Sequence, residues 1–212
     1  MTEFYAAGKR FPLNRTYVMG ILNVTPDSFS DGGKYFDPEK AVRHAVEMEA
    51  QGVDIVDIGG QSIRPGSVRI SPEEEWARIE NVVKAVAEKT NLAVSIDTFY
   101  PEVAEKSLKA GAHIINDVTG FAPEMWRGVK NPDCGCIVMH PGDPDDLNGA
   151  GGDILERVRA FFEKKTTEAE QRGVNKNRLC FDPGIGFGKT NEENFALIAN
   201  PEKIRVPGTA LL

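Results

Sequence analysis

The chain has 212 residues, 41% of them hydrophobic and 27% charged, with a formal net charge of -7. That length fills one sizeable core rather than two, so residues 1–212 are read as a single domain. Negative charge without a basic block argues against nucleic acid or an anionic membrane surface as partner, and no apolar run approaches the ~20 residues a membrane helix needs.

The first ten residues are polar and mixed and do not read as a secretory signal, which points to the cytoplasm. An apolar strand over 17–22 runs into Asn23. The polar loop Thr25-Pro26-Asp27-Ser28-Phe29-Ser30-Asp31-Gly32-Gly33 follows, and an ordered loop with no core to build is usually functional. A helix is predicted over 38–51, with Ala41, Val42, Ala45, Val46 and Met48 at helical spacing and Gly52 as its stop. A strand over 53–58 carries Asp57 near its end and opens into Gly59-Gly60-Gln61-Ser62-Ile63-Arg64-Pro65-Gly66. The helix over 72–89 has Ser71 and Glu74 in a capping-box pattern and Trp76, Ile79, Val83 and Val86 on one face.

The same unit then repeats. A strand over 92–96 ends at Asp97 and precedes a helix over 101–110. A strand over 113–115 ends at Asn116 and Asp117, and one over 136–139 ends at Met139 and His140. After the acidic loop 143–146 and a helix over 154–172, a strand over 179–181 ends at Asp182. A short helix over 191–200 and a strand over 208–212 close the chain. Cys134, Cys136 and Cys180 are odd in number and irregular in spacing, and are read as small buried strand residues.

Strands apolar on consecutive residues are buried on both faces, as in a parallel sheet covered by helices. Repeated βα units allow an open doubly wound sheet or a (β/α)8 barrel. Nearly every strand here ends in a chemically capable residue, and only a barrel gathers all of those ends at one mouth. The expectation is therefore a TIM-type (β/α)8 barrel with strand 8 and the last helices missing from this chain.

Asp97, Asn116 and Asp182 suit a flat heterocycle such as a pterin: a carboxylate accepts from an adjacent amino group and ring N–H together, and an amide serves the remaining ring atoms. Gly188-Lys189-Thr190 invites a phosphate-loop reading, but Pro183 stands where the first glycine should be and lacks the N–H such a loop would use.

The first loop, the run Gly59 to Gly66, Ser95-Ile96-Asp97-Thr98, Ile114-Ile115-Asn116-Asp117, Met139-His140 and Phe181-Asp182-Pro183-Gly184-Ile185-Gly186-Phe187-Gly188-Lys189 resemble, in order, the strand ends of the dihydropteroate synthase family. The resemblance implies an enzyme of folate biosynthesis, a transferase that forms a C–N bond between 6-hydroxymethyl-7,8-dihydropterin diphosphate and p-aminobenzoate and releases diphosphate. It implies that Asp97, Asn116, Asp182 and Met139 hold the pterin, with Ile63 beside them where a hydroxyl is usual. Phe29, Arg64, Pro65 and Phe187 would shape the p-aminobenzoate site, Asn23 would ligate Mg²⁺, and Asp97 would stabilise the developing cation. The family's Ser-Arg-Lys run and Arg-x-His motif lie past the point where this chain stops, so the chain itself is not expected to turn over at a useful rate, and the homodimer usual for full-length members stays open. Two alternatives are weighed: a methyltetrahydrofolate-binding methyltransferase, which does not need the Ser/Phe-rich first loop, and a non-catalytic pterin-binding remnant.

Overall fold

The computed structural model describes residues 3–25, 38–61, 68–129, 133–142 and 152–212. The predicted βα repeat is present. Strands β3 (Met19–Asn23), β4 (Ile55–Gly59), β5 (Ala93–Asp97), β6 (Ile114–Asp117), β7 (Gly135–Met139), β8 (Leu179–Asp182) and β9 (Ala210–Leu211) form one seven-stranded sheet in sequential order, parallel throughout. Helices α1 (Pro38–Ala50), α2 (Pro72–Lys89), α3 (Pro101–Lys109), α4 (Met125–Gly128), α5 (Ile154–Gln171), α6 (Asn191–Ala199) and α7 (Pro201–Ile204) fill the connections.

Period-two alternation divides each strand between two cores. Leu22, Val56, Ile58, Val94, Ile96, Ile115, Val138 and Phe181 face outward and pack with helix residues such as Ile79, Val83, Val86 and Phe162. Trp126 and partly buried Trp76 belong to this outer layer, as helix-packing residues. Ile55, Ala93, Ile114, Ile137, Cys180 and Ala210 face inward and form a separate cluster at the amino end of the strands.

That inner cluster is closed by a hairpin that the mixed composition of the first residues conceals. Strands β1 (Glu3–Ala6) and β2 (Lys9–Pro12) pair antiparallel around Ala7 and Gly8, both at positive φ, as a two-residue hairpin turn demands. Phe4, Ala6 and Phe11 drop into the base of the sheet, and Phe11 meets Tyr17 edge to face at 5.1 Å. The signal was the alternation Phe4, Ala6; alanine at the first turn position hid it.

Helix ends show which local expectations hold. Ser71 Oγ accepts from the Glu74 N–H at 3.2 Å, but the Glu74 carboxylate pairs with Arg78 at 2.6 Å instead of reaching back. The complete capping box is at α6, where Thr190 and Glu193 bond each other's backbone. Val46, placed on the apolar face of α1 from spacing, is 41% exposed. All three cysteines are buried and free. Among the described residues no helix is long and apolar enough to cross a membrane.

Candidate active site

The carboxyl ends of the strands place the polar residues in register. Asn23, Gly59, Asp97 and Asn116 are successive partners across β3, β4, β5 and β6, all of inward parity. Met139 and Asp182 are partners across β7 and β8 on the same parity. Gly59 leaves the middle of this row open: a Cβ there would stand 3.4 Å from Asn23 Oδ1 and 3.5 Å from Asp97 Oδ2.

These groups are in a hostile setting for charge. Burial, followed by the nearby Asp57, Glu75 and Asp117, pushes the Asp97 carboxyl well above the usual carboxylate range. Burial also raises Asp182, against a backbone hydrogen bond from the Gly184 N–H at 2.7 Å and the charge of Lys189. Asn116 and Met139 are buried, whereas Asn23 is exposed at the rim. The carboxyls therefore gain most from a ligand that brings hydrogen-bond donors or positive charge into the mouth.

Two strand-end residues do not face the mouth. Asp117 and His140 follow inward residues, so their parity turns them outward. Asp117 accepts from the Thr119 and Phe121 N–H groups at 2.7 and 3.0 Å and holds the loop after β6. His140 stacks edge to face on Phe161 of α5, its Nδ1 accepts from the Gly142 N–H at 3.3 Å, and burial pushes its pKa down to about 4, so it is neutral at neutral pH. For these two residues loop capping, not convergence at the mouth, is the observed role. His113 likewise acts in packing, accepting from the Val94 N–H at 3.1 Å.

Lys189 is not poised as a phosphate-loop lysine. Its Nζ donates to the carbonyls of His140, Gly184 and Phe187 at 3.1, 2.9 and 2.9 Å, which uses all three hydrogens inside the protein. It ties the loop after β7 to the loop after β8. Close approach of these loops requires glycine at 142, where a Cβ would lie 2.5 Å from the Phe187 carbonyl oxygen. Phe187 thus sits on a backbone fixed from both sides, half-exposed at the rim.

A second tie joins the loops after β4 and β5. Buried Glu75, at the start of α2, accepts from Thr98 Oγ1 at 3.1 Å, and Thr98 accepts from the Tyr100 N–H at 3.1 Å. Tyr100 donates to the Ile70 carbonyl at 2.7 Å. Burial pushes Glu75 up to about 7. Sequence reasoning missed Glu75, because as the third acid of a helix's first turn it looks like an ordinary dipole partner. Phe29, Ile63, Arg64 and Pro65 lie outside the described residues.

A barrel mouth lined by carboxylates and an amide, over a parallel sheet, defines the class: the chain belongs to the pterin-binding enzymes, whose family model matches residues 19–212. Within them its relatives are dihydropteroate synthases, transferases of folate biosynthesis. The chain is 42% identical over 200 residues to the dihydropteroate synthase of Clostridium beijerinckii, a match covering 93% of this chain and 73% of that protein. Two solved structures of the Xanthomonas albilineans dihydropteroate synthase superpose on it. One, with 4-aminobenzoic acid, has a TM-score of 0.90 at 38% identity and covers 99% of this chain and 76% of that one. The other, in complex with 7,8-dihydropteroate, has a TM-score of 0.86 at 35% identity, with the same coverage. The methyltransferase alternative receives no support from these relatives.

Proposed function

We propose that the mouth binds the dihydropterin edge through Asp97, Asn116 and Asp182, with Met139 beneath the ring, and that the reaction served is the condensation of 6-hydroxymethyl-7,8-dihydropterin diphosphate with p-aminobenzoate. The observation that carries this is the row of inward polar residues at raised carboxyl pKa, which a donor-rich, cation-forming ligand relieves. The dihydropteroate synthases it resembles, and the 4-aminobenzoic acid and 7,8-dihydropteroate held by the superposed structures, support the same reading.

In this reading the C–O bond to diphosphate breaks, leaving positive charge on the pterin methylene. The aniline nitrogen then forms the C–N bond and gives up one proton to solvent. Asp97 stabilises the developing cation electrostatically, which demands proximity and burial rather than strong basicity. Asp182 and Asn116 orient the ring, and buried Met139 packs against it. Phe187, on its Lys189-tied loop, would border the aryl amine, with Phe29, Arg64 and Pro65 as its other walls.

Magnesium fits the donor set in a limited way. Among the described residues no group of three or more His, Cys, Asp or Glu could hold a metal. Asn23 offers one exposed hard oxygen, which suits an ion held chiefly by phosphates and water. Asn23 would hold Mg²⁺, and the ion would supply charge neutralisation of the diphosphate.

The test is titration of the protein with a pterin by calorimetry. One-to-one binding that Asp182→Ala abolishes is expected; binding that survives this change would remove Asp182 from the site, and no binding by the wild type would remove the reading.

A further inference from the structure

One buried acid has no role in the reading above. Asp57, only 6% exposed, lies on β4 in the interior layer just below the mouth, between the apolar base and the row that holds Asp97 and Asn116. Asn116 Nδ2 donates to Asp57 Oδ2 at 3.0 Å. Asn116 is itself 7% exposed, and its Oδ1, Asp57 Oδ1 and Ser95 Oγ are buried without a hydrogen-bond partner among the described residues. Ser95 stands in register with Asp57 on the neighbouring strand.

The chemistry of this pair is one-directional. Burial raises the Asp57 carboxyl, but the bond it accepts from Asn116 favours its ionised form. An ionised carboxylate only accepts, whereas an amide has one accepting end and one donating end. Asp57 therefore decides which end of Asn116 is turned down and which is offered above. One of the two Nδ2 hydrogens is taken by Asp57, and Oδ1 is left as an unpartnered acceptor. A buried acceptor without a partner is costly, and a ligand that donates to it recovers that cost.

We propose that Asp57 is a positioning residue that fixes the amide of Asn116 with its oxygen toward the ligand, so that the mouth accepts a pteridine bearing a donor on that edge and rejects one bearing an acceptor there. The proposal rests on the reading of the mouth as a pterin site. Asp57 touches no reacting atom; it acts through Asn116. If the amide turned over, its N–H₂ would meet the ligand's own donor, and two polar groups would be left unsatisfied together.

The experiment compares pterin with lumazine, in which an oxo group replaces the 2-amino group, by calorimetry on three proteins. The wild type binds pterin more tightly. Asp57→Asn is nearly isosteric but can either accept from Asn116 Nδ2 or donate to its Oδ1, so the Asn116 amide is no longer held to one orientation. The preference for pterin over lumazine then falls about tenfold or more, chiefly because lumazine affinity rises. Combining Asp57→Asn with Asn116→Asp restores the pattern: the amide at 57 donates to the carboxylate at 116, whose other oxygen faces the ligand. The preference for pterin then returns to within about threefold of wild type. A purely structural role for Asp57 predicts equal losses for both ligands and no rescue, and either result overturns the proposal. The swapped pair keeps the test decisive if the single variant does not fold. A wild type that binds neither pteridine would defeat the pterin reading itself, whereas a wild type that discriminates and an Asp57→Asn protein that discriminates equally would defeat only the role of Asp57.

Discussion

The two ends of the barrel interior are built from the same strands, two to four residues apart, and are opposites. At the amino end Ile55, Ala93, Ile114, Ile137 and Ala210 are covered by Phe4, Ala6 and Phe11. At the carboxyl end Asp57, Asp97, Asn116 and Asp182 stand with raised carboxyl pKa values or unpartnered oxygens. One end is satisfied in the free protein and the other only when something binds. Stability is therefore concentrated at the base, and affinity at the mouth draws on polar groups that the fold leaves unpaired.

Paired substitutions at the two ends should break this contrast if it is wrong. Ile114→Ala at the base, where the side chain is fully buried, is expected to cost about 2–5 kcal/mol of stability in urea denaturation and to leave pterin affinity unchanged. Asp182→Ala at the mouth should do the reverse. It loses about 3–5 kcal/mol of pterin affinity with the charged partner removed, and its stability stays within about 1 kcal/mol of wild type. A large stability loss from Asp182→Ala would show that the mouth is structural.

Glu75 sharpens the contrast through pH. Its folded-state pKa is raised from 4.5 to about 7, so the folded state holds the proton more tightly than the unfolded state. The stability this contributes is complete below pH 4.5 and is lost as pH rises toward about 7. Glu75→Gln, which still accepts from Thr98, should flatten that part of the profile. The gain over wild type at neutral pH is at most about 3 kcal/mol, read from denaturation midpoints across pH. A profile unchanged by the substitution would mean that the carboxyl is not desolvated.

Smaller effects are expected at the rim. Lys189→Met leaves three carbonyls without their donor and should cost about 2 kcal/mol of stability. Because the freed loop carries Phe187, p-aminobenzoate affinity should fall more than pterin affinity; equal losses would detach Phe187 from the aryl-amine site. Gly59→Ala should change stability by less than about 1 kcal/mol, since the new Cβ makes only ordinary contacts in the free protein. It should nevertheless weaken pterin binding, because it fills the gap between Asn23 and Asp97.

Consecutive apolar residues and helix stop signals made the seven parallel strands and their order legible before any coordinate, because burial on both faces and short crossovers leave few other arrangements. The polar strand ends that mark the mouth were legible for the same reason. Parity was the missing step. Asn116 and Asp117 are neighbours in sequence with opposite fates, one inside the barrel and one capping a loop outside it. The hairpin at the base was hidden because its value lies in plugging residues contributed by six other strands, far away in the chain.

The sequence by itself thus determined the repeat, the parallel sheet and the chemical types gathered at one end, since these follow from local hydrophobic period and from where each strand stops. Only the tertiary structure decided which of those polar groups share a layer. Strand register sets who is adjacent, and burial decides which carboxyl pays for its charge. That is why Asp57, unremarkable as a strand residue, is seen as the group that orients Asn116 only once β4 and β6, on either side of β5, come within hydrogen-bond reach on the inner face.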